Sequence, residues 1–537
     1  MKSRCYVKAE CAWRLFDSRC GWLGNAGALI LLSGFFGGVA VAQELNSDSA
    51  LPSVSTGSVP RRLVSIVPRV AVTETYTDNA TLSANSKQSD LITEISPGIR
   101  ISGDAGRLKG HFDYSLVGRV STQGGSATST QSALSTAAVA EIVDKFAFLD
   151  FTAGISQQTV SALGGVSPGS YSVNANQSET STYRISPYLK GSLAGKADYE
   201  ARYSLSSTQS QSAGTSDVSA RDFSISVMGR SSTSPLGWSV LADQQSSTYS
   251  LGRTTEVDRL TGTLSYAVNP QFVLSATAGQ ESNNFSTISK ESSFTSGQGL
   301  KWTPSDNVSL SANRQNRPFG QSHSINFNYR TARTAWSFTD SQDVTNTPSQ
   351  TQVGSLGSTY DLFFALFTSV EPDPVKRAVL VNSFLQANGI NPNGAILSNF
   401  LTSAVAFQRR QSLSFSLLGV RDTITVIASR TDSSRVDSLS TALDDLTNST
   451  SVRQSGLSLS YSHRLTPDSS MNITGAWQQS SDSKAALETS SNSVNIGFAT
   501  KLGNRSSAAV SARRVIFDSS TSPYNETAIT GTINVQF

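Results

Sequence analysis

Polar and apolar residues alternate along much of this chain. Counting back from the C-terminus, Phe537, Val535, Ile533, Gly531 and Ile529 fall on one face, and Gln536, Asn534, Thr532 and Thr530 on the other. Successive side chains of a strand point to opposite faces, so such a strand has one oily side and one wet side. The pattern recurs upstream. Val494, Ile496 and Phe498 alternate with Asn495, Gly497 and Ala499; Leu457, Leu459 and Tyr461 alternate with Ser458, Ser460 and Ser462. Leu413, Phe415 and Leu417 alternate with serines, Ile325, Phe327 and Tyr329 with asparagines, and Leu260, Leu264 and Tyr266 with threonines and Ser265. Repeated segments of about ten such residues mark a transmembrane β-barrel. A soluble sandwich alternates in the same way, so strand number and loop lengths decide between them.

Short turns fall at 103–106, 144–145, 269–270, 304–306, 466–468 and 503–504, where Gly, Asp, Asn or Pro suits a tight bend. Longer Ser/Thr/Asn/Gly-rich connections lie between them, at 121–130, 159–178, 208–217, 283–292, 435–451 and 481–489. Barrels of this kind have short periplasmic turns and long external loops. With Phe537 on the periplasmic side, all the short turns share that side, and a first strand near 63–76 starts there. The tally is about 22 strands, an even number as single-chain bacterial barrels have, with 293–302 the least regular segment. The expected fold is an all-β, antiparallel, up-and-down transmembrane barrel over 61–537.

One region departs from this period. Residues 357–407 read as a helical insert in an external connection. The apolar run 360–370 is too short to span a bilayer. Asp373-Pro374 suits a helix start, Val375, Ala378, Val379, Val381, Phe384 and Leu385 give one apolar face, and Asn388-Gly389 ends it. Such an insert either folds inward as a plug or caps the rim.

The N-terminus reads as an export signal. Five basic and two acidic residues precede an uncharged stretch from Gly21 to Ala42, which ends in Ala40-Val41-Ala42. Residues 1–42 are therefore expected to be removed, and the Ser/Pro-rich 43–60 reads as a periplasmic linker. All three cysteines (Cys5, Cys11, Cys20) lie in the signal, so no disulfide and no Cys/His metal spacing is expected in the remainder. The signal also accounts for the whole formal charge of +3. Charged residues make up 15%, against about 25% in soluble domains. There is no basic footprint for nucleic acid. Beyond Ala42 no stretch of about 18 uncharged apolar residues occurs, and the mean hydropathy of −0.19 suits a barrel, which needs only alternate apolar positions.

Several local sequences carry a family resemblance. They are Ile66-Val67-Pro68-Arg69-Val70, Glu74-Thr75-Tyr76-Thr77-Asp78-Asn79, the run from Ser89-Asp90-Leu91 through Ser96-Pro97-Gly98-Ile99-Arg100, Asp113-Tyr114, and in the insert Tyr360-Asp361-Leu362, Asp373-Pro374-Val375-Lys376-Arg377 and Phe384-Leu385-Gln386-Ala387-Asn388-Gly389. Together they resemble the outer-membrane β-barrels associated with PEP-CTERM/exosortase systems. The resemblance implies residence in the outer membrane of a Gram-negative bacterium and a link to exopolysaccharide and its export apparatus. It supplies no catalytic residue. The ending Gly531, Ile533, Val535, Phe537 also resembles that of outer-membrane barrels, which implies recognition by the barrel-assembly machinery.

Candidate chemistry is sparse. The three histidines, His111, His323 and His463, stand beside no G-x-S-x-G, and His463 shares the oily face of Leu459 and Tyr461. Asp444-Asp445 could hold a cation but reads more simply as a solvated pair. No cofactor or metal is expected. Arg314, Arg317, Arg409, Arg410, Arg513 and Arg514 are more suggestive: inward arginines would favour an acidic polymer, whereas outward ones would anchor at headgroups. Only one member of an adjacent pair can face inward. The candidate lumen or constriction set is Arg314, Arg409, Arg410, Arg513, Asp373, Lys376 and Arg377. The leading expectation is a non-enzymatic pore for exopolysaccharide. A surface adhesion or assembly platform comes second and a membrane hydrolase last. Outer-membrane lipid is the expected surrounding.

Overall fold

A computed structural model describes residues 64–122, 129–166, 176–212, 215–229, 234–345, 381, 400–402, 405–436, 444–483 and 487–537. The signal and linker segments lie outside them, as does all of the insert except 381, 400–402 and 405–407.

The first strands are β1 Val64–Thr77, β2 Asp90–Ala105, β3 Leu108–Ser121, β4 Ser129–Val143, β5 Ala147–Thr159, β6 Gln177–Leu193, β7 Ala197–Ser210 and β8 Val218–Gly229. Next come β9 Leu236–Tyr249, β10 Thr254–Asn269, β11 Phe272–Asn283, β12 Glu291–Ser305, β13 Val308–Arg317, β14 Gly320–Arg330 and β15 Thr334–Thr345. The last are β16 Ala406–Leu418, β17 Asp422–Arg435, β18 Ser451–Arg464, β19 Ser469–Asp482, β20 Glu488–Gly503, β21 Ser506–Ser519 and β22 Tyr524–Gln536, with one short helix, α1 Asp445–Asn448, before β18. The least regular segment in the sequence, 293–302, lies within β12.

Each strand pairs antiparallel with the next, and β22 pairs with β1, so 22 strands close into one up-and-down barrel. Closure leaves no edge, which matters where no water can satisfy unpaired backbone groups.

The alternation dictates which way each side chain points. Ile66, Val72, Leu264, Leu459, Ile496 and Ile533 are exposed on the outside, while Thr75, Thr263 and Ser416, from the opposite parity, are buried on the inside. A closed sheet that shows its large apolar side chains outward is solvated by acyl chains. The chain is thus a multi-pass membrane barrel of the outer-membrane type. Strands of 10 to 17 residues exceed the roughly 9–11 needed to cross, so their ends project beyond the bilayer.

Both described ends of the barrel and all the short turns lie on one side. At Gly106 the two-residue turn between β2 and β3 takes φ +58°, a conformation that glycine reaches without a Cβ penalty. The connections on the opposite side are mostly longer, although those between β9 and β10 and between β21 and β22 have only four residues each and one is shorter still. Only residues 318 and 319 join β13 to β14, and Phe319 tucks there between Phe285 and Phe407, 6.1 Å from each ring.

Candidate functional site

The inner wall carries a row of arginines held against carboxylates. Arg69 makes two bonds to Asp113, at 2.5 and 3.0 Å, and Arg100 donates to the same carboxylate at 2.7 Å. Gly98 makes room for this: a Cβ there would stand 3.0 Å from Arg69 Nε and 2.8 Å from the Tyr114 carbonyl. Arg119 donates to Glu94 at 2.6 Å, with both side chains almost fully buried. Further round, Arg184 pairs with Asp222, Arg202 with Asp150 and Glu200, and Arg259 with Asp243. Arg317 bonds both Glu281 and Asp343, and Arg513 reaches Glu526 at 3.3 Å. Between these pairs the wall is Ser, Thr, Asn and Gln. Most of these inward arginines are therefore neutralised by a carboxylate, whereas Arg410 meets Gln408.

The candidate arginines divide by parity. Arg410 and Arg513 point inward; Arg410 donates to Gln408 at 2.9 Å. Arg314, Arg409 and Arg514 share the outward face of Ile325, Leu413 and Val510. Asp373, Lys376 and Arg377 lie outside the described residues.

The quoted motifs near the start of the barrel stitch its seam. Thr73 and Thr75 meet Thr532 and Thr530 at 3.0 and 3.1 Å. Thr77 Oγ1 donates to Glu526 at 2.7 Å. The Asp78 carboxylate accepts the Thr527 amide at 2.7 Å, and buried Asn79 donates to the Ser83 and Asn525 carbonyls at 2.8 and 2.9 Å. Asp90 accepts from Ser121 and Thr122 across β3. Outward Ile529, Gly531, Ile533 and Val535 oppose Tyr76, Glu74, Val72 and Val70 in the closing pair.

At the long-loop end the mouth is bridged. Asp445 is not a solvated charge: its carboxylate accepts the Ser161 hydroxyl at 2.8 Å and the Ala162 amide at 2.7 Å, from the loop after β5. Burial pushes the Asp445 carboxyl above the usual range and Asp444 adds to this, while the Ser161 and Ala162 bonds pull it down. Asp444 caps α1 through the Thr447 amide at 2.9 Å and accepts from Thr402 at 3.0 Å. Leu401 donates to the Thr159 carbonyl at 3.0 Å, and Ala162, Phe400, Ala406, Leu446 and Val452 bury one another. The same β5–β6 loop offers its Val166 carbonyl to the Tyr524 hydroxyl at 2.5 Å.

The β5 and β16 rims stand eleven strands apart, on opposite sides of the ring. A round barrel of 22 strands, about 4.8 Å apart and tilted by about 40°, is roughly 44 Å across. Yet Phe400, paired with Thr159, is only six residues from Ala406, the first of β16, and six residues reach about 21 Å at most. With about 5 Å added between the bridged residues, the two rims stand no more than roughly 26 Å apart along this diameter, so the mouth is drawn in there.

The histidines are dispersed. His111 faces inward on β3. Outward His323 lies 3.2 Å from Asp340, and His463 lies 2.7 Å from Asp422, whose same oxygen accepts the Tyr461 hydroxyl. Among the described residues no group of His, Cys, Asp and Glu is arranged to hold a metal ion.

Comparison of the sequence with family models and with curated proteins finds no match. Among solved structures, the chain is similar to the FrpB iron transporter of Neisseria meningitidis, F5-1 variant in apoprotein form, at 9% identity over 88% of this chain and 81% of that one, with a TM-score of 0.49. It is also similar to the siderophore receptor PirA of Pseudomonas aeruginosa, at 10% identity over 88% and 80%, TM-score 0.41. A third is OccK2 (OpdF) of Pseudomonas aeruginosa, at 9% identity over 88% and 98%, TM-score 0.33.

Proposed function

We propose that this barrel is a non-enzymatic passage through the outer membrane for a hydroxyl-rich polymer, the exopolysaccharide implied by the resemblance to barrels of PEP-CTERM/exosortase systems. The observation that carries this reading is the compensated inner wall. A passage must hold its cargo weakly enough to let it leave. Arginines already neutralised by Asp113, Glu94, Asp222, Asp150, Glu281 and Glu526 offer hydrogen bonds without a strong net field. Serine, threonine and asparagine between them match sugar hydroxyls.

The bridged mouth adds control. Docking of the β5–β6 loop on α1 narrows the external opening, so transport requires that contact to yield or the polymer to pass beside it. Planar-bilayer recording of the full chain, with and without residues 357–407, tests the reading. We expect step conductance that rises on deletion of the insert and is blocked by added polysaccharide. Silence from both proteins would sink it.

A second reading has one observation in its favour. The fixed network of Ser161, Ala162, Asp444, Asp445 and Thr402 makes a firm external rim, as a surface adhesion platform needs. Normal polymer export with lost surface attachment in a deletion strain would select this reading instead.

A further inference from the structure

The outer surface of β13–β18 breaks the rule that lipid-facing positions are apolar. Reading outward positions away from the termini, Phe338, Leu413, Ala428 and Leu457 are followed by Asp340, Gln411, Arg430 and Ser455, then by Gln342, Arg409, Asp432 and Arg453. Arg314, His323 and Gln321 continue the patch on β13 and β14. Four arginines gather here around two aspartates, so arginine outnumbers aspartate by two. Elsewhere on the described outer face, Lys290 sits between Glu256 and Asp258, a cluster with a net negative charge, and Arg221 and Arg514 stand on strands far from one another.

The two aspartates orient the arginines. Asp340 takes two bonds from Arg409, at 2.6 and 3.0 Å, and one from Gln411 at 3.2 Å, with His323 Nε2 3.2 Å away. Asp432 is shared by Arg430 at 2.9 Å and Arg453 at 2.6 Å. A guanidinium has five N–H donors, so a single Asp432 bond commits only part of Arg453, whose side chain is 59% exposed. Arg409, Arg453, Asp432, Gln342 and Phe407 line one open cleft on this face, with a second carboxylate, Asp482, and several serines completing its wall.

The cleft lies directly beyond the apolar belt, on the side away from the short turns, where outer-leaflet headgroups sit. Snorkelling alone would scatter single arginines round the ring; it does not account for three on the successive strands β16, β17 and β18. We propose that this face binds the phosphate groups of a phosphorylated glycolipid of the outer leaflet, with Arg409 and Arg453 as its principal donors. Fork-shaped guanidinium groups suit phosphate oxygens, and the acyl chains of such a lipid would lie along Leu413, Phe415, Leu457 and Leu459 below.

The test uses the full chain in detergent, titrated with bisphosphorylated lipid A, its fully dephosphorylated form, and inorganic phosphate. Native mass spectrometry reads retained lipid, and heat-modifiable gel mobility reports folding. We expect retention of the bisphosphorylated form alone, undiminished by inorganic phosphate. Because loss of a charged hydrogen bond costs about 1.5–3 kcal/mol, Arg453→Gln should weaken binding at least roughly tenfold in a folded barrel, and Arg409→Gln similarly. Arg514→Gln should leave it unchanged. Equal retention of the dephosphorylated lipid, or equal binding by folded Arg453→Gln, overturns the proposal. Full displacement by inorganic phosphate overturns the lipid assignment.

Discussion

Individual residues show how strictly facing governs what the barrel tolerates. Arg119 and Glu94 are buried at 3% and 6% side-chain exposure, so removing one partner strands the other's charge. Arg119→Ala should destabilise the folded barrel by about 3–5 kcal/mol, read as a lower urea midpoint in lipid vesicles, and Glu94→Gln in the same protein should recover part of the loss. On the opposite face the rule reverses. Ile496 faces acyl chains in mid-strand, between Ile473 and Ala512, and Ile496→Arg should cost about 2–4 kcal/mol by the same measurement. Neighbouring Asn495 faces inward, and Asn495→Arg should be tolerated far better. Which face a residue occupies was legible from the alternation within its own strand. Which carboxylate it meets was not: a slip of two residues preserves the alternation, so pairs such as Arg119–Glu94 depend on register that no local pattern records.

The loops carry the control elements, and here a buried acid gives a sign. The docked Asp445 carboxyl binds a proton more tightly than it would in solvent. Docking is therefore strongest below the ordinary aspartate value of about 4, and weakens as pH rises through the raised value. Channel recordings should show less open time on acidification in this window. Asp445→Asn should flatten that dependence, and Asp445→Ala should widen the mouth at every pH. Strand-length elements were readable throughout, from β18 to the closing β22, since each writes its own period. The two-residue β13–β14 connection was not, because Phe319 is held by Phe285 from the β11–β12 connection and by Phe407 from β16. Nor was the docking role of Asp445: its partner Ser161 lies 284 residues away, although the cap that Asp444 makes on Thr447 is local. Most of the segment read as helical, 357–407, falls outside the described residues; Val381 is helical and fully buried, but 400–402 and 405 are not helical and Ala406 and Phe407 begin β16, so the helical reading ran too far.

At the scale of the whole molecule, the strand count, the sidedness of the turns and the inward–outward division all followed from one periodicity. The width of the mouth did not, because it is set by contacts across the ring. A barrel can be wide at its waist and still admit little. The proposed transport then rests on the loops, and the deletion of 357–407 and the Asp445 variants probe the same opening from two sides.

The seam has a consequence for how this protein is made. Residues 69–77 wait for 528–536, so the first strand emerges from synthesis long before its last partner exists. Until β1 and β22 meet, an assembling sheet has two raw edges, ready to pair with anything extended that comes near. The threonine rungs at Thr73–Thr532 and Thr75–Thr530 fasten only when the final dozen residues arrive, which makes the C-terminal strand a clasp as well as a wall.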